Sequence, residues 1–302
     1  MHTLEKTKEQ IDEILSKIDT TLWAPQISTV CFTQYGVQEQ PVTLRWIGGN
    51  QRCDLPEGIY SCAGMFKGFE FGEGFYFGDF DTSKVTDMSL MFANANIPEG
   101  FKFRDSNGKS FDTSAVVTMK SMFSSTKFGD GVKLPDTFDV SQVRNMSGMF
   151  QCAKFGKGFS LGKSFSTDLV LYMDNMFDHA ELNESFSLGD KFFTGKVVTM
   201  ERMFSNTVLP DGFSLGEEFY TDDLEYAQGM FYNCTLGRDF SFGEHFIINS
   251  EEVDVESMFA SVYSNSNGYI TVEKGGKCVY SFNADFDEFA PTKVEASTEF
   301  FT

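Results

Sequence analysis

From Met65 to Phe259 the chain repeats one order of apolar and polar positions. A Met-Phe pair ends at Phe66, Phe92, Phe123, Phe150, Phe177, Phe204, Phe231 and Phe259, at intervals of 26, 31, 27, 27, 27, 27 and 28 residues. A period of this size, kept over so many copies, marks stacked structural repeats. Nine residues beyond the pair stands Phe75, Phe101, Val132, Phe159, Phe186, Phe213 or Phe240, and a second apolar residue follows two positions later, as at Leu161, Leu188 and Leu215. Period two predicts a short strand with one buried face. A further phenylalanine follows at Phe138, Phe165, Phe192, Phe219 and Phe246. From there the spacing lengthens to three and four, so that Val143, Met146, Met149 and Phe150 share one face of a helix of about two or three turns. Asp81-Thr82-Ser83, Asp112-Thr113-Ser114 and Asp139-Val140-Ser141 precede these segments and are read as helix caps rather than metal ligands. A helix this short is marginal alone, so neighbouring repeats must bury its apolar face.

The expected fold is therefore an α/β repeat, a solenoid of about eight strand-plus-short-helix coils over residues 58–272 with caps at both ends. Every methionine except Met1 falls in the Met-Phe pair or three residues before it, at Met88, Met119, Met146, Met173 and Met200. Register makes these side chains core rather than a thioether ligand array. Ala95, Thr126, Ala153, Ala180, Thr207 and Cys234 form a column of small residues, where adjacent coils approach closely; Cys234 is a small buried residue there, not a nucleophile.

Outside the repeats, Ile11, Ile14, Leu15, Ile18 and Leu22 line one side of an amphipathic helix over residues 1–22, which either caps its own chain or joins copies of it. ISTVCFTQY and VTLRWIGG, within 23–57, read as strands of a small β cap. Strands from Tyr269 to Glu273 and from Cys278 to Phe282 flank Gly275-Gly276 as a closing hairpin. Residues 273–302 thus carry the closing strand and an acidic tail, whose Phe286, Phe289, Phe300 and Phe301 either stay disordered or dock on the protein or a neighbour.

With 44 Asp and Glu against 24 Lys and Arg, the net charge is -20. That balance argues against a nucleic-acid groove or an anionic membrane and favours a protein partner with a basic surface. The start MHTLEKTKEQIDEILSK lacks the apolar run and cleavage site of a secretory signal, and no segment has eighteen uninterrupted apolar residues, so a cytoplasmic or virion-associated location is expected over export. The six cysteines have no framework spacing; only Cys53 and Cys62 lie near enough for a local disulfide. His179 and His245 occupy loop columns, no zinc-ligand or Ser-His-Asp arrangement stands out, and no glycine-rich phosphate loop is present. No catalytic residue, cofactor or metal site is predicted, and the chain is not expected to be an enzyme. The informative column is the outward strand position, Tyr76, Lys102, Lys133, Ser160, Ser187, Ser214 and Ser241. It is either a solvated sheet face or, because small side chains admit a close partner, a binding surface. The longest interval contains Arg104 to Lys109 as a bulging loop, a second candidate contact.

The F-D-T-S-x-V-x-x-M-x-x-M-F string resembles the repeat of BspA-like leucine-rich-repeat proteins and of mycoplasma-type surface lipoproteins, over residues 58–272. That resemblance implies a leucine-rich-repeat-like strand-and-helix solenoid used in adhesion and protein binding. Phenylalanine stands here where those repeats carry tryptophan before the aspartate. Two functions are expected from these features. One is a non-enzymatic recognition or structural solenoid, such as a phage-particle component or an adhesin, assembling as a homo-oligomer through the N-terminal helix. The other is an intracellular acidic inhibitor that blocks a basic, nucleic-acid-binding surface of a host protein.

Overall fold

The computed structural model describes residues 43–47, 50–55, 58–72, 75–78, 80–104, 111–248, 253–264, 268–274, 277–284 and 292–293. The N-terminal helix, the ISTVCFTQY strand, the loop after Arg104 and the tail phenylalanines all lie outside them. Strands β1 (Thr43–Ile47) and β2 (Asn50–Asp54) pair antiparallel, and β2 runs parallel to β3 (Tyr76–Phe77) with Arg52 opposite Tyr76. From there the chain winds through coils whose equivalent residues are bridged in parallel. One ladder runs unbroken through Ser61, Asp87, Thr118, Asn145, Tyr172, Thr199, Tyr226 and Asp254. A second runs through Glu70, Asn96, Lys127, Lys154 and Glu181, then from Val208 through Thr235 to Tyr263. It includes β4 (Asn96–Ile97), β5 (Lys127–Phe128), β6 (Thr235–Leu236) and β7 (Tyr263–Ser264). β8 (Gly268–Lys274) and β9 (Lys277–Ala284) form an antiparallel hairpin, and β10 (Thr292–Lys293) lies antiparallel on β7.

The expected short helix is replaced by consecutive β-turns, and no α-helix occurs among the described residues. In the Met149 coil, Met149, Gln151 and Ala153 donate their amides to the carbonyls of Met146, Gly148 and Phe150 at 3.0, 3.1 and 3.0 Å. The intervening amides of Met146, Gly148, Phe150 and Cys152 donate to Tyr172, Asp174, Met176 and Asp178 of the next coil at 2.9, 2.7, 2.9 and 2.8 Å. Such a run needs a left-handed residue every fourth position, which an α-helix excludes. Gly148 (φ 63°) and Cys152 (φ 57°) take that conformation, as do Asn175, His179, Arg202 and Asn206 at φ 54–58°. The gain is cooperative: a short helix leaves its terminal groups orphaned, whereas here half the amides stay local and half tie one coil to the next.

The expected Asp-Thr-Ser caps likewise serve turns. The carboxylates of Asp81, Asp112 and Asp139 accept from the amides of Ser83, Ser114 and Ser141 at 3.0, 3.1 and 2.8 Å, closing Asx-turns. The buried hydroxyls of Thr113, Thr167, Thr194 and Thr221 each donate to a main-chain carbonyl of the following coil at 2.6 Å. The expected strand at the Phe-x-Leu position is bridged in only part of the stack, at Tyr76 and between Ser214 and Ser241; the long ladders lie on either side of the Met-Phe turns instead.

Side chains fill the coils as their register requires. The Met-Phe phenylalanines, Phe66 to Phe259, are buried and stacked one per coil, with successive centroids 5.3–5.6 Å apart and planes within 17° of parallel. Each contact adds about 0.5–1.5 kcal/mol to the burial of the rings. Met146, Met149, Met173, Met176, Met200 and Met203 are fully enclosed beside that column. No helix of the described residues is long and apolar enough to cross a membrane.

Candidate functional site

Coil register sets the surface as firmly as the core, because equivalent residues line up along the ladders. Lys102, Lys133, Ser160, Ser187, Ser214 and Ser241 are exposed, and Tyr76 is half-buried. Their inward neighbours Phe159, Leu161, Phe186, Leu188, Phe213 and Leu215 are buried. The serine hydroxyls are partly committed to the fold: Ser214 Oγ accepts from Gly216 N and Ser241 Oγ from Gly243 N, both at 3.1 Å. After Lys133 the column holds serines alone, side chains suited to contact rather than to proton transfer.

A different surface lies over the unbroken ladder. Tyr172 and Tyr226 occupy the same column two coils apart and are 43% and 44% exposed, while Thr199 between them is buried. Leu171 and Val198, in the adjoining column, are half-buried. Asp174, Glu201 and Gln228 follow in successive coils, with Asp254 at the far end of the ladder. Neutral donors hold these groups. Ser147 Oγ donates to Asp174 at 2.7 Å, Thr199 Oγ1 donates to the same carboxylate, and Gln228 Nε2 donates to Asp254. Gln228 Oε1 is buried and accepts no hydrogen bond. Desolvation, then the charges of Asp174 and Asp254, push the Glu201 carboxyl above the usual range. The sequence carries a signal for this surface, two tyrosines at one repeat offset, but an offset alone does not tell an exposed tyrosine from a core one.

A raised Glu201 carboxyl binds its proton more tightly in the folded chain than in the unfolded one. Its stabilising contribution is therefore present in acid and lost as pH rises through the folded value. Glu201→Gln, neutral throughout, should melt higher than the parent at neutral pH, with the gap closing as the pH is lowered through the carboxylate range. Thermal melts of both proteins across that range check this; a gap that stays constant contradicts the raised Glu201 carboxyl.

The densest polar network surrounds Asp178, whose side chain is 5% exposed. His179 Nδ1 lies 2.8 Å from its Oδ1, Asn206 Nδ2 donates to it at 3.2 Å, and Gln151 Nε2 donates to Oδ2 at 3.1 Å. Asn233 extends the chain by donating to Asn206 Oδ1 at 2.9 Å. The neighbouring Cys152 thiol is pushed up by desolvation and by Asp178, against the opposing hydrogen bond of Ser125. Burial, with Asp87, raises Cys62 to about 12, and burial raises Cys234. Thiols shifted this way are poor nucleophiles, and both buried cysteines behave as core residues. His245 stacks on Tyr220 with centroids 4.3 Å apart. Among the described residues no group of His, Cys, Asp and Glu is arranged to hold a metal ion.

Charge is divided along the chain. Residues 102–163 hold ten Lys and Arg against five Asp, whereas residues 217–256 hold eleven Asp and Glu against Arg238 alone. Arg238 itself is taken by Asp211, through Nε at 2.7 Å.

The family described as "Mycoplasma protein of unknown function, DUF285" matches residues 60–161, 136–238 and 160–272 of this chain. No curated protein and no solved structure matches it.

Proposed function

The chain belongs to the DUF285 family through overlapping matches that span residues 60–272, and we propose that it is a non-enzymatic protein-recognition solenoid of the leucine-rich-repeat-like kind. The unbroken ladder from Ser61 to Asp254 carries this reading. It holds the outward columns in line while their residues change from coil to coil, so a partner meets a regular scaffold bearing an irregular text. In this reading the serine column and the tyrosine column are alternative contact faces, and the amphipathic stripe of Ile11, Ile14, Leu15, Ile18 and Leu22 assembles copies into a larger structure such as a particle or an adhesive array. The acidity of the chain favours a second reading, a regulator that occupies a basic surface of another protein.

Affinity capture from the native host tests recognition directly, with the parent chain beside a variant carrying Ser160→Trp, Ser187→Trp and Ser214→Trp and another carrying Tyr172→Ser and Tyr226→Ser. The expected result is a defined protein retained by the parent and lost from one variant that still melts like the parent. Retention of nothing beyond a bare-resin control overturns the reading. Assembly is read separately by light scattering, where a monomer at micromolar concentration with or without residues 1–22 removes that part.

A further inference from the structure

The face over the unbroken ladder is unbalanced in two ways that point to the same chemistry. It carries carboxylates without paired cations: Asp174 and Asp254 are met only by hydroxyls, an amide and main-chain groups. Among the described residues, no Lys or Arg forms an ion pair with Asp174, Glu201 or Asp254. Elsewhere this chain does neutralise its surface acids from coil to coil, as Lys154 does for Glu181 and Arg238 for Asp211. The face also exposes tyrosines. Tyr172 and Tyr226 stand two coils apart on one ladder, about 10 Å at the ordinary strand spacing, with Glu201 in the coil between them and the half-buried Leu171 and Val198 alongside. Tyrosine is a residue of interface anchors, and its ring attracts cations.

Resting on the protein-recognition reading above, we infer that Tyr172, Asp174, Glu201, Tyr226 and Asp254 form a docking face for an arginine- or lysine-bearing segment of a partner protein. A guanidinium laid between the tyrosines meets a ring on either side and carboxylates along the line between them. It supplies a positive charge to carboxylates that no described Lys or Arg pairs with. Glu201 is the central group: its charged form is disfavoured by desolvation and by Asp174 and Asp254, and an incoming cation relieves it. The excess of eleven acids over one base in residues 217–256 draws such a segment toward this half of the stack, and the contact columns decide where it seats.

The test uses the full chain and a labelled oligoarginine peptide, titrated by fluorescence anisotropy at physiological salt, with an oligoglutamate peptide as the opposite-charge control. Glu201→Gln is compared with Glu217→Gln, which removes the same charge from an exposed residue of another column. Tyr172→Ser and Tyr226→Ser leave the charge unchanged. Oligoarginine is expected to bind the parent and oligoglutamate not to. Glu201→Gln should weaken binding roughly fivefold or more and each tyrosine variant about threefold, while Glu217→Gln changes it less than about twofold. Equal losses from the two Gln variants, or tyrosine variants that bind like the parent, overturn the docking face by showing diffuse attraction to an acidic chain. So does a parent that fails to bind oligoarginine. If the host protein is still captured by all of these variants, recognition stands and this face is not its site.

Discussion

Met149→Asp is expected to unfold the middle of the stack. The Met149 side chain has no exposure and lies beside the stacked rings. An aspartate there loses the packing of the methionine, about 2–5 kcal/mol for a large-to-small core change. It must also either bury an unpaired charge or take up a proton, which costs several kcal/mol more. Against a typical total of about 5–15 kcal/mol, little is left. The damage should spread by neighbour contacts, because the amides of Phe123 and Phe150 donate to the carbonyls of Met149 and Met176 at 2.8 and 2.9 Å. Hydrogen exchange should show protection falling at these amides first and recovering with distance along the stack, and the melting temperature should drop sharply. Met149→Leu, which keeps the volume, should cost less than about 1.5 kcal/mol. A Met149→Asp protein that melts like the parent contradicts the whole register.

Gly156→Ala is the second large effect, and it comes from the backbone. A Cβ at Gly156 would lie 2.4 Å from the carbonyl oxygen of Gly129 and 2.7 Å from that of Phe128, both in the preceding coil. Gly129 and Gly237 are similarly placed, with contacts of 2.3 Å to Glu99 N and to Pro210 O. Since the obstacle is main chain rather than a yielding side chain, the methyl group must push two coils apart, at a cost of about 1–3 kcal/mol. Gly72 is the control: a Cβ there meets nothing within 4 Å, and its φ is not in the left-handed region. Gly72→Ala should leave stability nearly unchanged or raise it slightly through the unfolded state. Denaturant midpoints of the two variants decide the matter; equal midpoints mean that the coils do not approach as closely as described.

These effects show which parts of the molecule the residue pattern disclosed. The core was legible because burial has a period: Val143, Met146, Met149 and Phe150 are buried as their spacing implies. The backbone carrying them was not, since a spacing of three and four fits a run of β-turns as well as a helix. The distinguishing sign lay in the left-handed columns, where Gly64, Gly148 and Gly229 align with Asn175, and Asn94 with Asn206 and Asn233. Those types tolerate positive φ, but Leu90, His179 and Arg202 in the same columns hid the rule. The Asp-Thr-Ser stretches resemble caps for a related reason: Thr113 bonds to a carbonyl 26 residues away, a partner that local spacing does not reveal. For the candidate sites the difficulty is of another kind. Outward residues such as Tyr172 and Glu201 answer to no packing period, so only their placement on a shared ladder makes them a group.

The antiparallel strand β10 on β7 closes the last edge of the second ladder. Each coil offers the next a parallel edge, a template on which another coil, or another molecule, can crystallise in register and carry the growth onward. A strand laid across that edge in the opposite sense spoils the template while satisfying its hydrogen bonds. At Tyr263 and Ser264 the molecule thus occupies its own template, and a second copy cannot extend this ladder there in register.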